Sequence, residues 1–520
     1  EMKAMGGWGP VCMQLAEIDP TSDISDLPIE TFWDAQDVAS HRALTDRLRA
    51  QGALSAVEIA HTGLRGRGFT NGYPVWGPSN MPILKPDMPV QARAMDKADI
   101  KALRQSYRAA VGRARDAGYD MVYVYAAHDA SILWHFLSPA YNHRSDEYGG
   151  SFENRMRLFR EVLEETVEEA AGDIAVHELN GPQAITADGE GRDLIEALAD
   201  VPDLWDVNVC GWSRDSGTSR FDAEGFQEEF TSFVKQVSRK PVVGVGRFTS
   251  PDAMVSQIRR GVLDLIGGAR PSIADPFLPN KIFEGRVEDI RECIGCNICV
   301  ASDANSVPLS CTQNPTISQE WKRGWHPEII PAAKSRQSML VIGSGPAGLE
   351  AALTLARAGH EVTVAEKHAD FGGRVRRESA LPGLAAWGRV ADYRLYQLRQ
   401  MGNVSLFANS EITAETVGDF GADHVLVATG SHWGNDGFGS TRFSAVPGFA
   451  DAALSVDAVM DGAKVSGSVV IYDDDHYYMG NILASVLAKR GLDLTIVTPQ
   501  AALAGWMGST LEQPRVIAEL

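Results

Sequence analysis

The chain has 520 residues, so we expect two or three domains. Its formal net charge of −20 argues against nucleic-acid binding, because contact with phosphates needs a basic face. Hydrophobic residues make up 44% of the chain, yet no apolar run approaches the roughly 20 residues of a membrane-spanning helix. The chain starts at Glu1 without an initiator Met or a signal peptide, and we expect a truncated cytoplasmic protein.

The first 290 residues alternate short apolar strands with amphipathic helices, such as Ala98–Ala117, Ser151–Ala171 and Pro251–Arg260. Repeated βα units predict an α/β fold with a parallel sheet, and their number favours a (β/α)8 TIM barrel over residues 1–290. A doubly wound sheet is the alternative. Closure needs eight strands, so we expect the first to lie upstream of Glu1. The predicted strands are Val11–Glu17, Leu54–Ala60, Met121–Ala126, Ile174–Leu179, Leu204–Cys210, Val242–Val245 and Leu263–Gly267.

Polar and aromatic residues collect at the ends of these strands, where barrel enzymes carry their chemistry. Each residue alone is more often a packing or surface residue, but their shared position predicts a functional site. A metal held by His61, His177 and Cys210 is an alternative use of three of them. The strand-end residues are Glu58, His61, Tyr125, His128, His177, Cys210, Trp212 and Asp215. Of these, Glu58, His61 and His177 are candidate contacts of a cofactor.

The last two predicted strands end in GVGR, Gly244–Arg247, and GGAR, Gly267–Arg270. Small residues let backbone N–H groups approach a phosphate, and arginine supplies positive charge. We therefore predict a phosphate site for FMN, with glycine turns of purely structural use as the alternative. The candidate contacts are Gly246, Arg247, Ala269 and Arg270.

Four of the six cysteines fall in one short segment with Cys-x2-Cys-x2-Cys-x11-Cys spacing. Closely spaced thiolates with a distant fourth suit a [4Fe–4S] cluster, and we assign residues 291–337 to a cluster segment and linker. Structural zinc and simple structural thiols remain alternatives. Cys12 and Cys210 are isolated, which argues against a disulfide framework. The predicted cluster ligands are Cys293, Cys296, Cys299 and Cys311.

Residues 338–462 open with a GxGxxG motif between an apolar strand and a helix. An acidic residue closes the second strand, where a carboxylate can bind ribose hydroxyls. This combination predicts a Rossmann unit that binds a nucleotide, and its resemblance to two-dinucleotide-domain flavoproteins implies ADP or FAD. The candidate contacts are Gly343, Gly345, Gly348, Glu366, Lys367 and Arg374.

Residues 463–520 repeat the strand–helix–strand order of a second Rossmann-like unit. The glycines are absent, and Asp473–Tyr478 (DDDHYY) stands at the turn. Three carboxylates and two bulky rings would repel and block a pyrophosphate. We predict a fold that is retained without nucleotide binding.

Several motifs together carry a family resemblance. Val57–Gly63 (VEIAHTG), Tyr141–Arg157 and the two strand-end glycine motifs resemble the Old Yellow Enzyme type of FMN barrel. Val122–His128 (VYVYAAH), together with CTQNP and RGWHPE after the cysteines, narrows the resemblance. The chain is similar over essentially its whole length to trimethylamine, dimethylamine and histamine dehydrogenases, which are relatives of 2,4-dienoyl-CoA reductase.

The resemblance implies that FMN in the barrel oxidises an amine. Electrons then pass singly to the cluster and on to an electron-transferring flavoprotein or a second redox subunit, while the Rossmann unit holds ADP. Tyr125, His128 and Asp215 match the family's groups near the flavin, and Trp212 matches one wall of its aromatic cage. A homodimer or larger oligomer is expected.

Three residues depart from the family pattern. Leu15 and Asp303 stand where trimethylamine dehydrogenase has aromatic cage walls, and His177 stands where an arginine normally lies against the flavin. Asp303 suits a second positive or donor group on the substrate, and Arg214 suits a carboxylate. We predict N-demethylation of a methylated amine or N-methylated amino acid, with formaldehyde release. Histamine-like deamination, NAD(P)H-dependent enoate or dienoyl-CoA reduction, and a non-catalytic electron-transfer subunit are alternatives.

Overall fold

The computed structural model describes residues 1–24, 29–85, 87–171, 175–180 (backbone), 189–209, 212 and 217–520. These residues form two compact units. The first unit comprises Glu1–Ser216, Ala223–Ser272 and Pro276–Gly285. The second comprises Gly217–Asp222, Ile273–Asp275 and Arg286–Leu520.

The first unit is built on a parallel sheet. In the described residues this sheet has seven strands in the order β1-β2-β6-β7-β8-β9-β10, which is the order of successive βα units and confirms the predicted parallel α/β fold. The short strands β3, β5 and β4 pair separately. The strands are β1 (Pro10–Glu17), β2 (Leu54–Ala60), β3 (Trp76–Gly77), β4 (Met81–Pro82), β5 (Gln91–Ala94), β6 (Met121–Ala126), β7 (Ala175–Asn180), β8 (Leu204–Val207), β9 (Val242–Gly244) and β10 (Leu265–Ile266).

The predicted strand bounds hold best where the apolar run is long. Strands β2 and β6 have their predicted bounds, and every residue of β6 is buried, as expected for a parallel strand covered on both faces. Strand β8 ends at Val207, before the predicted Cys210, because its pairing with β9 ends there. Cys210 itself lies outside the described residues.

The helices between these strands have clear sequence signals. The longest begins after Asp96, whose carboxylate caps the backbone N–H groups of Ala98 and Asp99, and it ends at Gly118 in the left-handed conformation. The helices are α1 (Met2–Met5), α2 (Asp37–Arg49), α3 (Lys97–Ala117), α4 (Ile132–Leu137), α5 (Phe152–Ala170), α6 (Glu190–Leu198), α7 (Glu228–Thr231), α8 (Val234–Val237), α9 (Pro251–Arg259), α10 (Ala269–Ala274) and α11 (Leu278–Phe283), with 3-10 turns at Gly63–Arg65 and Val287–Asp289.

The two faces of the sheet carry different side chains, because neighbouring residues of a strand point to opposite sides. Val122 and Val124 of β6 are fully buried on one face. The opposite face, which we call the inner face, carries one hydrophobic cluster with two tyrosines. Its buried members are Leu15, Ala56, Ala60, Met121, Tyr123, Tyr125 and Ala127.

The second unit contains the cysteine segment and both Rossmann-like repeats. Its main parallel sheet has the order β13-β12-β11-β14, and β15 pairs with β16. The strands are β11 (Ser338–Ile342), β12 (Glu361–Ala365), β13 (Val404–Phe407), β14 (His424–Val427), β15 (Ser468–Tyr472) and β16 (Asp493–Val497). The helices are α12 (Ile298–Ala304), α13 (Glu320–Arg323), α14 (Pro346–Arg357), α15 (Arg374–Ser379), α16 (Arg389–Arg399), α17 (Phe449–Ala452), α18 (Val456–Met460), α19 (Met479–Lys489) and α20 (Gln513–Glu519). Across the described ranges, no helix is long and apolar enough to cross a bilayer.

Candidate active site

Tyr125 and His128 meet at the end of β6. Tyr125 is on the inner face and is 5% exposed. Its hydroxyl lies 2.6 Å from Nδ1 of His128, which is hydrogen-bond distance. A phenol and an imidazole in contact can hold or move a proton on a bound substrate, so the pair suits general acid–base chemistry. The structure therefore brings together two of the three predicted catalytic residues.

An aromatic and an aliphatic side chain lie near this pair. The ring of Trp212 meets the His128 ring edge-on, with centroids 5.2 Å apart and an interplanar angle of 87°. Trp212 is 42% exposed, so part of its ring is open to a ligand. Leu15 packs in the same inner-face cluster as Tyr125. Of Trp212 and Leu15, the tryptophan offers a ring face that attracts an alkylammonium group.

Four other residues were predicted to act in catalysis, substrate binding or cofactor binding. Arg214 and Asp215 lie outside the described residues, as does the side chain of His177, whose backbone forms part of β7. Asp303 is an exposed residue of α12 in the second unit. The roles assigned to these four residues remain predictions.

Glu58 lies on β2 and is paired in register with Tyr123 of β6. Burial raises the pKa of Glu58 to about 8, and the charge of Asp206 adds to the rise. Burial also raises the pKa of Tyr123, again with a contribution from Asp206. Glu58 is therefore held in its protonated form at neutral pH. Tyr123 and Asp206 are not among the predicted site residues, although an acid in the apolar strand β8 is a visible signal in the sequence.

His61 follows β2 and has both ring nitrogens in use. Its Nδ1 accepts the N–H of Gly63 at 3.0 Å, and its Nε2 lies 2.9 Å from the hydroxyl of Thr21. The ring stacks on Trp76 with centroids 5.3 Å apart. Burial lowers the pKa of His61 to about 4, so the ring is neutral. These contacts account for His61 within the barrel, and its cofactor role remains a prediction.

Packing explains two glycines of the predicted phosphate motifs. A Cβ on Gly244 would lie 2.6 Å from a methyl of Leu263, and a Cβ on Gly267 would lie 2.7 Å from a methyl of Val245. Neither distance is tolerated by close-packed atoms. The structural alternative therefore applies to these two positions.

Packing also explains Gly268, where a Cβ would lie 2.6 Å from the Trp8 ring, and a Cβ on Gly246 would make a tight contact of 3.2 Å with Gly225. The arginines of the two motifs fit a phosphate better. Arg247 has a left-handed backbone with φ of 56°, a conformation found in anion-binding turns. Ala269 and Arg270 begin α10, directly after β10. The residues present thus fit the phosphate of FMN, with one arginine from each motif.

The cysteine segment brings thiols together. Burial raises the pKa of Cys296 to about 12, and the thiols of Cys293 and Cys311 add to the rise, so the three lie near one another. The Cys296 sulfur is 3.3 Å from the Thr312 hydroxyl, and the Cys311 sulfur accepts the N–H of Gln313 at 3.4 Å. Such hydrogen bonds to sulfur are one of the ways in which proteins tune iron–sulfur clusters.

No group of three or more His, Cys, Asp or Glu side chains in the described residues is arranged around a single metal ion. Ligands of one zinc ion all lie about 2.3 Å from it and must converge tightly. In a [4Fe–4S] cluster each cysteine binds a different iron, so the four thiols lie further apart. The fourth predicted ligand, Cys299, sits on α12, one turn from Cys296.

A buried arginine, which is not among the predicted residues, anchors the start of this segment. Arg291 is 3% exposed. Its guanidinium donates to the Tyr393 hydroxyl at 3.1 Å, to the Pro327 carbonyl at 2.6 Å and to the Glu328 carboxylate at 2.9 Å. The backbone N–H of Arg291 donates to Asp275 at 2.8 Å. A permanent positive charge is thus fixed two residues before Cys293.

The GxGxxG motif has the expected division of roles. A Cβ on Gly343 would lie 2.4 Å from the Ala428 carbonyl oxygen, and a Cβ on Gly348 would lie 2.0 Å from the Gly343 carbonyl oxygen. Gly345 has nothing within 4 Å of such a Cβ, so a ligand can approach its backbone at the start of α14. This arrangement is typical of a pyrophosphate-binding turn.

Glu366 directly follows the last residue of β12, close to its predicted place at the strand end, but its carboxylate is already engaged. It accepts the Ser344 N–H at 3.0 Å, the Ser344 hydroxyl at 2.7 Å and the His368 N–H at 2.9 Å. Burial acts to raise the pKa of Glu366, but these hydrogen bonds outweigh it and lower the pKa. The carboxylate is held ionised beside the glycine turn, where it can also accept from ribose hydroxyls.

The two remaining nucleotide candidates differ in setting. Lys367 is exposed. Arg374 lies 5.6 Å from the centroid of the Trp433 ring and forms a 3.1 Å salt bridge with Glu378. Their contact with a nucleotide remains a prediction.

Comparison with known proteins agrees with this architecture. Residues 1–289 match the NADH:flavin oxidoreductase / NADH oxidase family, and residues 341–409 match the NAD(P)-binding Rossmann-like domain. The dimethylamine dehydrogenase of Hyphomicrobium sp. (strain x) is 36% identical over 547 residues, which cover 100% of this chain and 74% of that protein.

Two solved structures are similar to nearly the whole chain. The 6-hydroxypseudooxynicotine amine oxidase of Pseudomonas geniculata N1 has a TM-score of 0.96 and 48% identity, covering 99% of this chain and 79% of its own. The histamine dehydrogenase of Rhizobium sp. 4-9 has a TM-score of 0.94 and 44% identity, covering 100% of this chain and 77% of its own.

Fold and matches define a flavoprotein oxidoreductase with an Old Yellow Enzyme-type FMN barrel and a Rossmann-like domain. Within that class, the chain belongs to the trimethylamine, dimethylamine and histamine dehydrogenase family, whose members are flavin enzymes acting on CH–NH donors. The predicted family and enzyme class are confirmed.

We expect Glu58→Gln to remove a pH-dependent loss of stability from the flavin-free protein. The folded state holds this proton up to about pH 8, whereas an unfolded glutamate releases it near 4.5. The stabilisation that the protonated Glu58 contributes is therefore complete below pH 4.5 and is lost as the pH rises from 4.5 to about 8. Because Glu58 is only partly buried, the recovery at about pH 9 should stay below about 2 kcal/mol.

Urea unfolding of wild type and Glu58→Gln at about pH 5 and about pH 9 measures this difference. Glu411→Gln, at an exposed position, is the control. Equal pH dependence in wild type and Glu58→Gln would contradict the assignment.

Proposed function

We propose that this chain oxidises the C–N bond of an amine that carries a second polar group, with N-demethylation as the reaction. The observation that carries the proposal is the contact between Tyr125 and His128 beside an exposed tryptophan at a barrel strand end. The family supplies the reaction class. The N-methyl group gives up two electrons and one proton to form an iminium. Addition of water then releases formaldehyde, the demethylated amine and a second proton.

The Tyr125–His128 pair sets the protonation of the substrate. An amine gives up electrons readily only when it is neutral, so a group that removes its proton is needed before the oxidation. The 2.6 Å contact lets the phenol and the imidazole share one proton, and either can exchange it with the substrate nitrogen. Asp215, by family resemblance, orients the imidazole.

Trp212 binds the positive form of the amine on arrival. One cation–π contact contributes roughly 0.5–2 kcal/mol. Leu15 lies where trimethylamine dehydrogenase has a ring, so less binding energy is available to a trimethylammonium group. The proposed substrate recovers affinity through its second polar group, for which Asp303 and Arg214 are the predicted partners.

Two redox groups complete the proposed enzyme. FMN, when bound, accepts the two electrons of the C–N bond, and a [4Fe–4S] cluster passes them on singly. Arg247 and Arg270 would hold the FMN phosphate, and Cys293, Cys296, Cys299 and Cys311 would hold the cluster. The proposed acceptor is an electron-transferring flavoprotein or a second redox subunit.

Oxidative deamination is the second candidate reaction. It is favoured by the 44% identity to a histamine dehydrogenase and by the acid at Asp303, which suits an imidazole or a second amine. The two reactions differ in product, because deamination releases ammonia and demethylation releases formaldehyde.

A substrate panel tests the proposal. We expect dye reduction by one of histamine, dimethylglycine or N-methylproline to exceed that by trimethylamine or dimethylamine, with the product read as formaldehyde or ammonia. Trp212→Ala should weaken the binding of a cationic substrate by about 2- to 30-fold. Trp506→Ala is the matched control, since Trp506 is also 42% exposed. Trimethylamine as the best substrate would overturn the roles given to Leu15, Asp303 and Arg214.

The turn after β15 in the second Rossmann-like unit argues against NAD(P)H as the electron donor. The carboxylate of Asp473 follows β15 and accepts the N–H groups of Asp475 at 3.2 Å and His476 at 3.1 Å. It also fills the space beside the next helix, since a Cβ on Gly480 would lie 2.7 Å from the Asp473 carboxylate carbon. Turn N–H groups that would bind a nucleotide phosphate are thus occupied by the chain's own anion.

We expect anaerobic NADH and NADPH to leave the flavin absorbance unchanged over minutes, because no phosphate can displace the Asp473 carboxylate. Dithionite serves as the control that the flavin is reducible. Rapid bleaching by either nucleotide would move the protein to the reductase class.

A further inference from the structure

Two consecutive residues at the active site have a left-handed backbone. His128 has φ of 57° and Asp129 has φ of 60°. This region is unfavourable for residues other than glycine, and it persists only where the surrounding structure fixes it. The turn between β6 and α4 contains no glycine. The N–H of Ala130 donates to the Ala127 carbonyl at 3.0 Å and closes the turn, and side-chain contacts add to this backbone hydrogen bond.

The carboxylate of Asp129 is bound on both oxygens. Arg65, at the end of the 3-10 turn after β2, donates from Nη2 to one oxygen at 3.1 Å. Trp134 of α4 donates from its indole Nε1 to the other at 2.9 Å. The two donors come from opposite sides of the turn in sequence, and Trp134 is 7% exposed.

The backbone carbonyl of Asp129 is bound as well. It accepts from Nε of Arg65 at 3.3 Å and lies 3.1 Å from Nε2 of His135. The His135 tautomer follows from its other nitrogen, since Nδ1 accepts the N–H of Leu64 at 3.2 Å. Burial lowers the pKa of His135 to about 4, so the neutral ring carries its one proton on Nε2 and donates it to Asp129.

We infer that Asp129 is a positioning residue: with Arg65, Trp134 and His135 it holds the left-handed turn that places Nδ1 of His128 against the Tyr125 hydroxyl. Asp129 itself contacts neither Tyr125 nor Trp212 in the hydrogen bonds described for it. The inference rests on the proposed function only for its effect on turnover. Arg65 and Tyr141 are the charged and titratable groups that face the Asp129 carboxylate besides His135.

Three substitutions separate positioning from stability. Asp129→Asn keeps an oxygen for the Trp134 indole and tolerates the left-handed backbone. Asp129→Gly permits the backbone conformation but removes the carboxylate, and Asp129→Ala removes both. We expect Asn to retain kcat within about threefold, whereas Gly and Ala lower kcat by about tenfold or more with a smaller change in KM. The acid limb of the kcat pH profile should shift in Gly and Ala.

Glu165→Ala is the matched control. Glu165 pairs with Arg104 at a burial similar to that of the Asp129–Arg65 pair, but on α5, away from the turn. It should lower the melting temperature to a similar degree and leave the pH profile unchanged. A Gly variant whose melting temperature falls while its pH profile stays that of wild type would overturn the inference, because it would show a purely structural role.

A second readout needs no substrate. Hydrogen exchange of the peptide that contains residues 126–131, measured on the purified protein without amine, should accelerate in Asp129→Gly and stay near wild type in Asp129→Asn. A crystal structure of Asp129→Gly should show His128 displaced from Tyr125. If exchange is unchanged and His128 stays in place, the inference is wrong, whatever the amine substrate proves to be.

Discussion

The site depends on one hydrogen bond, between the Tyr125 hydroxyl and Nδ1 of His128. The barrel fixes Tyr125 by placing it on the inner face of the fully buried strand β6. His128 lies beyond the strand, so only the conformation of the following turn determines whether its ring returns to the phenol. A buried strand on one side and a strained turn on the other thus fix the two partners, and the preorganised pair needs little rearrangement when substrate binds.

Burial and neighbouring charges determine the charge state of groups inside the protein. Burial and the charge of Asp206 raise the pKa of Glu58 to about 8, so this carboxyl is neutral at pH 7. In the second unit, the buried Arg291 places a permanent positive charge beside the cysteine segment. At this place a positive charge would favour the reduced form of the proposed cluster.

Sequence patterns predicted the features that depend on neighbours in the chain. The bounds of β2 and β6 followed from long apolar runs, and the glycine turn at Gly343 followed from its motif. Contacts between distant residues were out of reach. The residues next to His61 in the sequence do not indicate that its ring stacks on Trp76 and contacts the Thr21 hydroxyl. Asp129 belongs to no recognisable motif. The acidic turn after β15 was predicted to repel phosphate, but the sequence did not show that a carboxylate of the turn takes the phosphate's hydrogen bonds.

We propose that an amine is oxidised in the barrel and that its electrons reach the cysteine segment one at a time. Electron paramagnetic resonance of the anaerobic protein, frozen at intervals after mixing with its best amine, tests this directly. The account predicts a reduced-cluster signal that appears after the flavin bleaches and is lost in Cys296→Ala, in which the flavin still bleaches. Flavin reduction without any cluster signal in the wild-type protein would contradict it.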